Sequence, residues 1–133
     1  MTTERRTILT VGLGRYLAAD PSSQILFGDV EKVKQMVATA HESVRQAGFD
    51  SESIDLNPHE HDESLKRLAE RLRDGNYDAV LVGFGIRGNK DMTPLFEGIV
   101  QTWHEVAPRT KVMFGNTPMD VVATLQRNFP EVG

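Results

Sequence analysis

The sequence predicts an α/β fold in which helices cover both faces of a four-stranded parallel sheet, giving a three-layer αβα sandwich. Short apolar runs alternate four times with segments whose apolar residues recur every three or four positions, as in amphipathic helices. Within residues 78–82 four apolar residues follow one another, which is typical of a parallel strand covered on both faces. Because crossovers between parallel strands are right-handed, the strand order 2-1-3-4 is favoured, and the order 3-2-1-4 is the alternative.

The first strand and the first helix occupy the first third of the chain. Residues 7–11 are apolar or β-branched and end at Gly12, which predicts a strand. Asp29 can cap the following helix, and Gly48 marks its end. Apolar residues at helical spacing predict that its buried face consists of Val30, Val33, Val37, Ala40, Val44 and Ala47.

The second unit is a weaker strand followed by a shorter helix. Residues 53–56 alternate between polar and apolar, as expected of a strand at the edge of a sheet. Asp62 is predicted to open the second helix, and Gly75 with Asn76 to end it. The inward residues of this helix are Leu65, Leu68, Ala69 and Leu72.

The third helix follows the strand at residues 78–82. Thr93 is predicted to cap it, Pro94 to lie in its first turn, and Pro108 to close it. Its wide apolar face predicts deep burial of Leu95, Phe96, Ile99, Val100, Trp103 and Val106.

The fourth unit repeats the same Thr-Pro opening. Residues 111–114 form the last strand, and Thr117 with Asp120 makes the sequence pattern of a capping box. The last helix turns Val121, Val122 and Leu125 inward, and Pro130 ends it.

Two strands of the predicted sheet end in the same kind of sequence, a Gly-x-Gly pair followed by an arginine. In the order 2-1-3-4 these are the adjacent first and third strands, where the chain reverses direction along the sheet and ligands commonly bind. Glycines let backbone N–H groups approach a ligand, and the arginine fork suits a carboxylate or phosphate. The predicted ligand-binding residues are Gly12, Gly14, Arg15, Gly83, Gly85, Arg87, Asn89, Asn116 and Thr117. The alternative is that these glycines serve the turns alone and that the arginines pair with surface carboxylates.

Three side chains near this edge of the sheet are candidates for proton transfer. His59 and His61 follow the second strand, and an unperturbed imidazole titrates near neutrality. Asp91 lies in the loop after the third strand. We therefore predict His59, His61 and Asp91 as catalytic residues. The competing interpretations are solvated loop histidines and a turn or cap role for Asp91 before Thr93.

The connection at residues 15–28 is long for a link between a strand and a helix, where two to six residues are usual. Its apolar part, Ile25, Leu26 and Phe27, predicts one of three roles. It forms a lid over a ligand, packs under its own domain, or contacts a twofold partner in a homodimer.

Composition excludes several classes of protein. Hydrophobic residues make up 39% and charged residues 26%, and no apolar run approaches the roughly 20 residues that span a bilayer. The chain has no cysteine, which excludes disulfides, thiol nucleophiles and thiolate metal sites. A net charge of −4 argues against nucleic-acid binding. No secretory signal is visible, and we expect one cytoplasmic domain at residues 1–133, with neither nucleic acid nor membrane as a partner.

Known nucleotide and hydrolase motifs are absent or incomplete. Gly83, Gly85 and Gly88 match the spacing of the dinucleotide fingerprint, but the next helix begins only near Thr93. There is no P-loop and no Gly-x-Ser-x-Gly elbow. The layout resembles flavodoxins and response-regulator receiver domains in architecture only, a flavodoxin-like or Rossmann-like scaffold without their phosphate loop or acidic residues. We expect neither a cofactor nor a bound metal.

These observations favour a protein that binds an anionic small metabolite, a carboxylate or a phosphate ester. If it is an enzyme, acid–base chemistry of the lyase, isomerase or hydrolase type is the least strained hypothesis. The alternative is a non-catalytic regulatory or protein-interaction module on a receiver-like scaffold, with residues 25–27 as the contact surface.

Overall fold

The computed structural model describes residues 5–23 and 29–132, and it confirms the predicted fold. Four parallel strands form one sheet in the order β2-β1-β3-β4, which excludes the alternative order. The strands are β1 (Arg6–Gly12), β2 (Phe49–Asp55), β3 (Ala79–Val82) and β4 (Lys111–Phe114). The helices are α1 (Val30–Gln46), α2 (His61–Asp74), α3 (Thr93–Val106) and α4 (Val121–Asn128).

The sheet separates two apolar clusters, because successive side chains of a strand point to opposite faces. On one face, side chains of β1, β2 and β3 pack with α2 and α3; they include Leu9, Val11, Ile54, Val80, Val82, Leu68, Leu72, Leu95 and Ile99. On the other face, the sheet packs with the end of α1 and with α4; this cluster includes Ile8, Leu81, Met113, Val44, Leu125 and Phe129. The sheet is therefore covered on both sides.

The carboxyl ends of β1 and β3 lie side by side, as predicted. Val11 pairs with Val82 in the parallel register, and the N–H of Gly83 donates to the carbonyl of Val11 at 3.0 Å. On the other side of β1, the N–H of Leu56 donates to the carbonyl of Gly12 at 2.8 Å. We call this side of the sheet, where all four strands end, the carboxyl edge.

The segment after β1 is anchored to the core rather than detached from it. It contains a 3-10 helix at Gly14–Ala19 and a helical turn at residues 21–23. Leu13 and Leu17 are buried in the apolar cluster beneath α2 and α3. The predicted contact residues Ile25, Leu26 and Phe27 lie outside the described residues. Within the described part of the chain, no helix combines the length and the apolar character needed to cross a bilayer.

Two details of α1 and β2 differ from the sequence prediction. Val37 is 40% exposed instead of buried, because α1 reaches the core at its two ends, through Val33 and through Val44 with Ala47. The strand β2 starts at Phe49, four residues before the predicted strand.

The starts of two helices also differ. Thr93 is not a cap: it is the first residue of α3, and its hydroxyl donates to the carbonyl of Lys90 at 2.7 Å, because a 3-10 turn at Lys90–Met92 already leads into the helix. Asp62 does not open α2, which begins one residue earlier at His61.

Candidate functional site

Polar side chains from three loops meet at the carboxyl edge. The loop after β1 supplies Asp20, Ser22 and Ser23, the loop after β2 supplies His59, and the loop after β3 supplies Asn89. We call these five residues the Asp20 cluster. Asp20, Ser23 and Asn89 are buried, whereas His59 is exposed. The cluster therefore consists of one accessible imidazole next to polar side chains that are mostly buried.

Asp20 is the centre of this cluster. Its side chain is only 7% exposed, and its Oδ2 accepts hydrogen bonds from the Ser22 hydroxyl at 2.7 Å, the Ser23 hydroxyl at 2.7 Å and the Ser23 N–H at 2.9 Å. Burial by itself raises the pKa of Asp20, but the hydrogen bonds from Ser23 and Ser22, helped by the charge of His59, outweigh it and hold that pKa below its ordinary value. Asp20 is thus a carboxylate at neutral pH.

His59 faces the other oxygen of the same carboxylate. Its Nε2 lies 3.6 Å from Asp20 Oδ1, and the imidazole is 64% exposed. The two Asp20 oxygens therefore have separate partners, the serine groups for Oδ2 and the imidazole for Oδ1.

Asn89 connects the loop after β3 to the Asp20 cluster. Its Nδ2 donates to Ser22 Oγ at 3.0 Å, and its Oδ1 accepts the N–H of Asp91 at 3.0 Å. Both ends of the Asn89 amide are therefore used within the protein. Asp91 itself is exposed and joins the network through its backbone.

The two predicted arginines lean toward opposite ends of the carboxyl edge. Arg15 is 69% exposed, and its Nε lies 3.7 Å from Asp55 Oδ2 at the end of β2. Arg87 donates from Nη2 to the Gly115 carbonyl at 3.2 Å and to Asn116 Oδ1, beyond the end of β4. Because neighbouring strands lie about 4.8 Å apart, the ends of β2 and β4 are separated by roughly 14 Å. The two guanidinium groups therefore flank the carboxyl edge and do not meet at one point.

The glycines near these arginines have different structural settings. Gly14 has a φ of +50°, and a Cβ at this position would overlap the Asp55 carboxyl group. Gly85 lies in a single helical turn at Phe84–Arg87, and a Cβ there would meet no described atom within 4 Å. A Cβ on Gly12 or Gly83 would make only ordinary contacts. Gly14 is thus required by its backbone and by Asp55, while Gly85 leaves open surface.

Asn116 and Thr117 are engaged inside the protein. The Asp120 carboxylate accepts the N–H groups of Asn116 at 3.2 Å and Thr117 at 3.4 Å, and Thr117 Oγ1 accepts the Met119 N–H at 3.0 Å. This is the predicted capping box, and it is confirmed. The N–H groups of Asn116 and Thr117, two predicted ligand-binding residues, thus already hold a carboxylate of the chain itself.

His61 is not part of the Asp20 cluster. Its Nδ1 lies 3.7 Å from Asp62 Oδ1, and the Asp62 side chain is fully exposed. Its Cε1 lies 3.4 Å from the position of a Cβ on Gly98, so the ring packs against α3. Of the three predicted catalytic side chains, the structure places only the imidazole of His59 in the cluster.

Sequence reasoning did not select Asp20, Ser22 and Ser23 as site residues, although they lie in the long connection at residues 15–28. The signal that could have found them is the position of Asp20-Pro21-Ser22-Ser23 in an unusually long loop on the ligand side of the sheet.

Two further observations bear on the site. Within residues 5–23 and 29–132, no group of three or more acidic or histidine side chains could hold a metal ion. A groove of about 360 Å³ lies away from the carboxyl edge, between α1 and the start of β2, with Ala38, His41, Glu42, Arg45, Phe49, Asp50 and Ser51 as its lining.

Comparison with protein-family models finds no match, and comparison with curated protein sequences finds no significant similarity.

Proposed function

We propose that the protein binds a small anionic metabolite, a carboxylate or a phosphate ester, at the carboxyl edge between the loops after β1 and β3. In this proposal Arg87 provides the main anion contact, Arg15 adds a second positive charge, and His59 exchanges a proton with the bound molecule. The reaction class is that of an acid–base lyase, isomerase or hydrolase.

The observation that carries the proposal is the fixed position of Arg87. Its guanidinium is held by Gly115 and Asn116 and lies 5.3 Å over the ring of Phe84. Its Nε is buried by the protein itself, so an anion would contact Arg87 through the terminal nitrogens of the guanidinium group. Because the side chain is already ordered, an anion can bind it with little further loss of side-chain entropy.

Arg15 is expected to contribute less. It is exposed, and it already faces the Asp55 carboxylate, which offsets part of its charge. Its role is to raise the local concentration of anions at the other end of the carboxyl edge.

The proposal is tested by a thermal-shift screen against small carboxylates, phosphate esters and nucleotides. A ligand present at a hundred times its dissociation constant stabilises the folded protein by about 2.7 kcal/mol. Arg87→Ala should abolish this stabilisation, and Arg87→Lys should retain only part of it, because lysine keeps the charge but loses the planar fork.

Arg109→Ala is the matched control. Arg109 is exposed in the loop before β4, at the opposite edge of the sheet, and its removal changes the net charge by the same amount. Its ligand-induced stabilisation should equal that of the wild type. The proposal is wrong if no anion stabilises the protein, or if the Arg87 and Arg109 variants lose the same stabilisation.

A further inference from the structure

We infer that Asp20 is the positioning residue of His59, and that the pair forms a proton-transfer unit in which Nε2–H is directed at Asp20 and Nδ1 is presented to the ligand. The identity of that ligand rests on the function proposed above. The His59–Asp20 contact is a property of the protein without any ligand, and it can be tested separately.

The two oxygens of the Asp20 carboxylate have different partners. Oδ2 accepts three hydrogen bonds from Ser22 and Ser23, one of them from a backbone N–H. A backbone N–H can only donate, so this oxygen is fixed in place. Oδ1 is left facing His59 Nε2 at 3.6 Å, and catalytic contacts of this kind are often long without ligand and shorten when the ligand binds.

The other described histidine–aspartate pair, His61 with Asp62, differs from His59 with Asp20 in its surroundings. His61 and Asp62 are separated by 3.7 Å, almost the same distance as His59 and Asp20. Asp62 is fully exposed and has no fixed orientation, and exposed pairs of this kind contribute little. Asp20 is buried, ionised and held by hydrogen bonds, so only this carboxylate can select the orientation and tautomer of an imidazole.

The loop after β3 also supports the position of Asp20. Asn89 is buried and donates to Ser22, which in turn donates to Asp20. The hydrogen bond between Asn89 and Ser22 therefore ties the loop that carries Asp20 to a loop 67 residues further along the chain. We assign to Asn89 the role of holding the Asp20 loop in place, instead of the ligand contact that the sequence suggested.

The proton-transfer step is balanced without any further reactant. A C–H or O–H proton of the bound anion moves to Nδ1 of His59, and the electron pair of the broken bond stays on the ligand. The resulting imidazolium carries one positive charge, which the negative Asp20 carboxylate faces through Nε2–H. In the return step, Nδ1 of His59 gives the proton back to the ligand or to the product.

The test is the tautomer of the neutral His59 ring, read from the nitrogen-15 shifts of its two ring nitrogens in alkaline buffer. In the wild type the proton should lie on Nε2. In Asp20→Asn the amide oxygen must stay at the Oδ2 position to accept the Ser23 N–H, so the NH₂ group faces Nε2. An NH₂ group can only donate, and we therefore expect the ring proton to move to Nδ1.

Asp62→Asn is the matched control, because it makes the same chemical change beside the other histidine. An exposed amide can rotate, so the tautomer of His61 should remain as it is in the wild type. The inference is overturned if His59 keeps its tautomer in folded Asp20→Asn, or if both histidines respond alike.

A second variant covers the case in which Asp20→Asn does not fold. His59→Gln leaves the hydrogen bonds from Ser22 and Ser23 intact and removes the charge that helps to lower the pKa of Asp20. The pKa of Asp20, followed by its carboxyl carbon-13 shift, should rise in His59→Gln and stay unchanged in His61→Gln. An unchanged pKa in both variants overturns the inference.

These measurements separate the two proposals. If the tautomer reverses but no anion binds, the His59–Asp20 unit stands and the proposed ligand class is wrong. If anions bind through Arg87 but the tautomer does not reverse, the anion site stands and the assignment of Asp20 is wrong.

Discussion

Asp55 and Gly14 form a contact that only glycine allows. Gly14 combines a φ of +50° with a position against the Asp55 carboxyl group, which also lies near Arg15. An alanine here would adopt a strained backbone and displace the carboxylate from this place. The glycine that the sequence suggested as a ligand contact therefore has a sufficient structural reason of its own.

We expect Gly14→Ala to lower the free energy of unfolding by about 1–3 kcal/mol, because a non-glycine residue in the left-handed region is strained. Gly85→Ala is the matched control: its backbone is helical, its surroundings are open, and alanine favours a helix by about 0.8–1 kcal/mol. Urea denaturation of both variants measures the difference. Equal destabilisation of the two variants would contradict the geometry.

The same Gly85→Ala variant probes the proposed anion site. The methyl group would project into open space beside the turn that carries Arg87. We expect the folded variant to lose at least part of the anion-dependent thermal stabilisation, because a ligand bound close to the backbone would meet the new methyl group. Unchanged stabilisation would show that the ligand does not approach Gly85.

Asp20 should make stability depend on acid pH. Its pKa is lower in the folded protein than its ordinary value of 3.8, so the folded state prefers the carboxylate. The resulting stabilisation is present at neutral pH and is lost as the pH falls below 3.8 through the folded-state pKa. The difference in unfolding free energy between wild type and Asp20→Asn should therefore be larger at pH 7 than in acid, and it should shrink as the pH falls below 3.8. A difference that is independent of pH would contradict this assignment.

Local hydrogen bonds of single residues were predictable, and distant ones were not. Asp29 caps α1 as predicted, with its carboxylate accepting the N–H groups of Glu31 and Lys32. These partners lie two and three residues away, so the pattern of the sequence contains them. Asp20 also has local partners, but its significance depends on His59 and Asn89, which folding brings from other loops.

At the level of the elements, the start of the last helical segment depends on its capping box. Asp120 accepts two backbone N–H groups that otherwise lack a partner at a helix start, and Pro118 lies at the first position of the turn. We expect Asp120→Ala to destabilise the protein by about 1 kcal/mol in urea denaturation. Glu97→Ala removes an exposed carboxylate from the middle of α3 and should change stability by less than about 0.5 kcal/mol.

The buried face of an element was predicted correctly where the spacing of its apolar residues matched the positions that the fold buries. β3 is buried at all four positions, as its unbroken apolar run indicated. For α1 the periodicity indicated one continuous face, but the helix touches the core only near its ends, so Val37 remains outside. The spacing of apolar residues in a helix does not show how much of its length the neighbouring elements cover.

At the scale of the whole molecule, the strand order and the carboxyl edge followed from general rules of parallel sheets. The directions of the arginines did not follow from those rules. Arg15 is drawn to Asp55, 40 residues away, and Arg87 to Asn116, 29 residues away. Each side chain takes its direction from a partner that only the folded chain supplies, so the two predicted ligand-binding arginines lie on separate flanks of the carboxyl edge.

This separation predicts additive effects on folding. Because Arg15 and Arg87 share no partner within residues 5–23 and 29–132 and face the ends of different outer strands, the stability changes of Arg15→Ala and Arg87→Ala should sum in the double variant to within about 0.3–0.5 kcal/mol. Chemical denaturation of the wild type, the two single variants and the double variant provides the double-mutant cycle. A coupling energy well above that range, measured without ligand, would mean that the two guanidinium groups interact.

The order of the strands also has a consequence for self-association. β2 and β4 are the outer strands, so the backbone groups on one side of each pair with no other described strand, and such a side can pair with a strand of another molecule. Along β2 the exposed side chains include Asp50 and Glu52, which form ion pairs with Arg5 and Arg71, and a second copy would have to desolvate these charged groups. β4 has only four residues and begins with the exposed Lys111. The borders of this sheet thus carry their own protection against fibre-like growth.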